Sequence, residues 1–108
     1  MGFFKHFFTH ADMNKKYNHY KIALQHTYSP TDEPLHRRVE LVFDNHDNLF
    51  DIIDALQGRN HFNDAGQSTE FAIGLKMFSE VMLRNKENPL FEELLPAFKD
   101  FMKKLKGK

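Results

Sequence analysis

Three groups of side chains in this 108-residue chain have the residue types and spacing for chemistry. Seven histidines are spread along it, and His or carboxylate side chains that converge at the right spacing bind metal. His6 and His10 are four apart, which aligns them only if the leader is helical. His26 and His36 flank a Pro-rich loop, where they can approach one another across a hairpin. No His-x-x-x-His pair falls on a helical pattern, and a buried histidine more often hydrogen-bonds within a core. No metal site and no cofactor is expected. The second group, Asp47, Asp51 and Asp54 with His46 beside them, has the carboxylates that Mg²⁺ binding or acid–base work requires. These acids lie opposite Leu49, Ile52, Ile53 and Leu56, where a surface helix puts its charge, so a solvated face is expected. The third group is a Tyr- and His-rich stretch, Tyr17, His19, Tyr20, His26 and Tyr28, which could line a small-ligand pocket.

Other signatures are missing. No G-x-G-x-x-G or Walker pattern cradles phosphate, and Ser29, Ser68 and Ser79 lack a nucleophile-elbow context. Fifteen basic residues balance fifteen acidic ones, so bulk charge gives no attraction to nucleic acid or anionic membranes. The tail FMKKLKGK is basic. With Glu92 and Glu93 in the first turn and lysines in the last, though, it has the polarity the helix dipole favours. The chain has no cysteine, which excludes disulfides and thiolate metal sites. No apolar run approaches the ~20 residues that span a bilayer. The leader lacks a basic n-region and a small-x-small cleavage site. These features together predict a cytoplasmic protein.

The elements that must position these groups follow from periodicity. Residues 17 to 28 alternate, with Tyr20, Ile22, Leu24, His26 and Tyr28 on one face, which predicts a half-buried strand. SPTDEP (29–34) is a loop. Val39, Leu41 and Phe43 make a second strand, and the simplest pairing is an antiparallel hairpin. The period then becomes helical. Leu49 to Leu56 form a first helix, capped by Asn45 or Asp47 and stopped by Gly58. A second runs from about Asp64 to Asn85, with Asp64 and Gln67 as a capping box. A third starts at Asn88-Pro89 and carries Leu90, Phe91, Leu94, Leu95, Phe98, Phe101, Met102 and Leu105 in one stripe, with Pro96 bending it from the polar side. The fold class is therefore α+β: an antiparallel hairpin followed by three helices, with a short N-terminal helix if residues 2 to 10 are helical. Residues 1–12 are a leader and residues 13–108 a single domain.

Four segments, KKYNHYKI (15–22), FDNHDNLFDII (43–53), FAIGLKMFSEVML (71–83) and NPLFEELLPAFKDFMKKLK (88–106), together resemble a small bacterial family known as a domain of unknown function. The similarity runs from about Met13 to the end. It implies a compact bacterial α+β domain, and brings no activity, cofactor or catalytic residue to these positions. The leader falls outside it, which admits Met13 as the natural start.

The long helix is apolar over more than one side. Phe71, Gly74, Leu75, Phe78, Val81 and Met82 make its main apolar face, where Gly74 would admit a close neighbour, Ile73 and Met77 project from another side, and Leu83 from a third. Phe3, Phe4, Phe7 and Phe8 crowd the leader and form one stripe if it is helical; the leader then packs on its own domain, docks on a partner or second copy, or is extra sequence outside the fold. Together these residues make more apolar surface than three helices and a two-stranded hairpin hide. The sequence therefore points to a non-catalytic interaction domain that forms a homodimer or binds another protein. Phe3, Phe4, Phe7, Phe8, Ile73 and Met77 are the candidate surface. The alternative is an enzyme or small-ligand binder using the Tyr/His-rich hairpin. The third reading is a nucleic-acid binder, which needs a basic stripe joining Arg37 and Arg38 to the tail.

Overall fold

The structure, a computed structural model, describes residues 17–31 and 37–107. Strand β1 (Asn18–Gln25) pairs antiparallel with β2 (Arg38–Asn45), and three helices follow: α1 (Leu49–Arg59), α2 (Ala65–Arg84) and α3 (Leu94–Leu105). A 3-10 turn, Pro89–Phe91, precedes α3. The expected hairpin and three helices are all present, in the expected order. The N-terminal helix, His6, His10, His36 and the leader phenylalanines lie outside the described residues.

The hairpin has two unlike faces, as a period of two requires. Tyr20 sits opposite Phe43, Ile22 opposite Leu41 and Leu24 opposite Val39 on one side. On the other, His19 Nδ1 lies 2.6 Å from Asp44 Oδ1, and Arg38 Nη2 donates to Glu40 Oε2 at 2.8 Å. Tyr20 and Phe43 stack with ring centroids 5.4 Å apart and pack on the helical core. Burial then fades along the strand, and Leu24 is 70% exposed. The expected buried face therefore holds only for Tyr20 and Ile22, since Leu24, His26 and Tyr28 are exposed. The strand also ends three residues earlier than expected, although the His26 N–H still donates to the Arg37 carbonyl at 3.2 Å. The hairpin is longer than the helices beneath it can cover.

Helix ends follow capping chemistry. Asn48 starts α1, its side chain accepting the Phe50 N–H at 2.9 Å. Asn45 and Asp47 do other work. Gly58 is inside α1, and the stop is Asn60 in the left-handed region at φ 55°. The capping box of α2 is present: Asp64 Oδ1 accepts the Gln67 N–H at 3.1 Å, and Gln67 Nε2 reaches back to Asp64 Oδ2 at 3.4 Å. Asn88 caps the 3-10 turn, accepting from the Leu90 N–H at 2.9 Å. Pro96 is the third residue of α3. In the first turn its missing N–H breaks no helical bond, so the expected mid-helix bend has no cause there.

The core lies where the helices meet. Leu49, Ile52 and Leu56 of α1, Ala72, Leu75 and Met82 of α2, and Phe98, Met102 and Leu105 of α3 are buried together, with Phe91. The basic tail helix is thus a core helix by its apolar stripe, as its sequence polarity indicated. Gly107, just past α3, has φ +94°, a left-handed conformation that side chains other than glycine rarely adopt, and lies against the Arg59 guanidinium at the end of α1.

Candidate functional site

Helix α2 faces the core with an unexpected set of residues. Ser68, Ala72, Leu75, Lys76, Ser79, Met82 and Leu83 are buried. Three of these are polar. The face expected to be the main apolar one is only partly inside: Leu75 and Met82 are buried, while Phe78 is 42% and Val81 45% exposed. Gly74 is also exposed, and among the described residues nothing lies within 4 Å of where its Cβ would be. Among the described residues it has no close neighbour.

The reason for this rotation is Lys76. It is 1% exposed, and its Nζ lies 2.8 Å from Asp47 Oδ2 and 3.1 Å from Glu80 Oε2. Asp47 is buried too, which corrects the expected solvated face. It sits before α1, in the turn leaving β2. Its backbone N–H donates to Asn45 Oδ1 at 2.8 Å, and its carbonyl accepts the Tyr20 hydroxyl at 2.9 Å. Tyr20 in turn accepts the Leu49 N–H at 3.0 Å. His46 Nδ1 lies 3.6 Å from Asp47 Oδ1, and the His46 ring meets Tyr17 edge-on at 6.0 Å. Asp51 and Asp54 do stay on the exposed side of α1. A buried ion pair needs both partners and further hydrogen bonds to offset desolvation, and this turn supplies them. The pair ties the hairpin to α2.

The solvent side of α2 carries an apolar stripe beside the exposed Gln67, Glu70 and Arg84. Gly74, Met77, Phe78 and Val81 follow the i, i+3, i+4, i+7 spacing of one helical stripe. Met77 and Val81 also line a cleft of about 130 Å³ against Leu41 and Phe43 of β2, with Lys76 and Glu80 among its polar lining. Ile73 and Met77 are both half-buried. On the other flank, Phe78 meets Phe91 and Phe98 with centroids 6.2 and 6.3 Å apart. Phe98 continues to Phe101 at 6.1 Å, Phe101 to Phe71 at 6.2 Å, and Phe71 to Phe62 at 5.1 Å. Phe62, Phe78 and Phe101 are partly open to solvent. An apolar band thus runs from the hairpin over α2 onto α3.

The Tyr/His-rich hairpin does not converge. His19 and His26 fall on opposite faces, and His19 is engaged with Asp44. An open concavity of about 520 Å³ at the far end of the hairpin is lined, among the described residues, by His26, Tyr28, Arg37 and Arg38 with Leu24, Gln25, Thr27 and Val39. No group of three or more His, Asp or Glu side chains suited to a metal occurs among the described residues. Among the same residues, no helix is long and apolar enough to cross a membrane.

The architecture is that of an α+β domain in which a hairpin caps a three-helix core. The chain belongs to the family described as a domain of unknown function with solved structure, DUF3861, whose model matches residues 18–107. It is similar to a solved structure from Pectobacterium atrosepticum, a bacterium, described as a protein of unknown function. The identity is 30% and the TM-score 0.74, over 86% of this chain and 100% of that one. No curated protein matches. Neither the family nor the neighbour brings an activity to this fold. The resemblance read from the sequence is therefore the correct family type.

Proposed function

We propose that this protein is a non-catalytic interaction domain that self-associates through the solvent side of α2. The observation that carries this reading is the stripe Met77, Phe78 and Val81 on the outside of a helix that buries Lys76, Ser68 and Ser79. A helix that turns apolar side chains to water on one side while burying polar ones on the other has a second surface to cover. Of the two residues singled out by their position on α2, Met77 belongs to that stripe and Ile73 lies beside it. Phe3, Phe4, Phe7 and Phe8 add further apolar area to the same role.

Melting the protein over roughly a hundred-fold dilution tests the reading, because association stabilises the folded state by mass action. The melting temperature should rise with concentration, and Phe78→Asp should remove the dependence while leaving a cooperative transition. A wild-type melting temperature independent of concentration overturns it.

A further inference from the structure

We infer that two copies pair their α2 helices antiparallel across a two-fold axis at Gly74. The inference rests on the self-association reading and gives it a geometry. Helix α2 runs from Ala65 to Arg84, and Gly74 is its tenth residue of 20. Glycine is the least favourable residue for a helix interior after proline. No described atom of its own chain approaches within 4 Å of its Cβ position, so packing among the described residues does not explain it. It sits in the exposed apolar stripe, where the missing side chain lets a second helix come close.

A two-fold axis through Gly74 sets every other contact, since a residue n positions after it faces the residue n positions before it. Met77 then meets Phe71 of the second copy, a thioether against an aromatic ring, which is a favourable contact. Phe78 faces the exposed Glu70, Val81 faces Gln67, and Arg84 faces Asp64. The chain places Asp64 at the N-terminal cap and Arg84 in the last turn. Antiparallel pairing therefore brings opposite charges and opposite helix-dipole ends together at both ends of the interface. Parallel pairing would place Arg84 against Arg84 and Asp64 against Asp64. At a shallow crossing of ~20° the ends stay close enough for this to matter.

The chain has no cysteine, so a single introduced thiol reports only its own position. Gly74→Cys, Val81→Cys and wild type would be compared in full-length protein, by sedimentation under reducing conditions and by covalent dimer yield after mild oxidation. A disulfide needs Cα atoms within ~7 Å. At an antiparallel crossing the two copies of position 81 lie ~21 Å apart along the axis, at 1.5 Å per residue. Gly74→Cys should cross-link at least ten-fold faster than Val81→Cys. Comparable cross-linking at both positions would mean parallel pairing and overturn the inference. Failure of both to cross-link, with a dimer in sedimentation, would move the interface elsewhere and overturn it while sparing self-association. A monomeric wild type would sink the self-association reading itself.

Discussion

Lys76 and Asp47 form an ion pair inside the protein, with Nζ and Oδ2 2.8 Å apart and both side chains nearly sealed from water. Asp47 belongs to the turn between β2 and α1, and Lys76 to the middle of α2, so the pair fixes how the hairpin sits on the helices. Glu80, one turn along α2, holds the same ammonium at 3.1 Å. Removing one partner leaves a buried charge uncompensated, which typically costs ~3–5 kcal/mol. Lys76→Met should lose that much in urea unfolding. Adding Asp47→Leu to it should recover a large part, because no orphaned carboxylate then remains at that position. A double variant as unstable as the single one would show that the loss is one of shape and not of charge.

Phe98 is buried and anchors α3 between Phe78 and Phe101. Phe98→Ala should cost ~3–5 kcal/mol, the range for emptying a buried aromatic site. Lys103, exposed in the last turn, should tolerate alanine with a change under about 0.5 kcal/mol. Urea titration of both variants checks this. An intact fold in Phe98→Ala would contradict the placement of α3 in the core.

Much of the fold was legible in the sequence, and the failures have physical causes. Periodicity located both strands and all three helices, and the Asp64–Gln67 box and the Asn88 cap were readable because each uses a local hydrogen bond. The stop of α1 falls two residues beyond Gly58 because Asn60 takes the left-handed position there. The site was harder. A count of apolar residues put Phe78 and Val81 inside α2 and ignored Lys76, since a lysine in a helix usually reads as surface. Its partner Asp47 is 29 residues away, and pairing at that distance leaves no periodic trace. Two signals could have exposed it: Ser68, Lys76 and Ser79 share one side of α2, and Asp47 precedes the first apolar residue of α1.

Gly74 separates stability from association. Its Cβ position is open among the described residues, so Gly74→Ala should stabilise the isolated fold by up to ~1 kcal/mol through helix propensity. Measuring it in the Phe78→Asp background keeps the protein monomeric. A loss of stability there would reveal an intramolecular neighbour close to the helix at this point.

A chain beginning at Met13 retains every described strand and helix, and the family match itself starts at residue 18. It should unfold in one cooperative transition with an unchanged urea dependence. If the leader phenylalanines contribute to the interface, its melting temperature should depend less on concentration than that of the full chain. A broad or non-cooperative transition would place the leader within the folded core.

Self-association through α2 is the central claim, and sedimentation velocity on wild type and Phe78→Asp tests it most directly. The wild type should sediment above its 12.8 kDa chain mass and move towards it on dilution. Phe78→Asp, with unchanged circular dichroism, should stay at the chain mass throughout. A folded wild type that remains at 12.8 kDa at all concentrations, or a Phe78→Asp variant as heavy as wild type, would contradict the account.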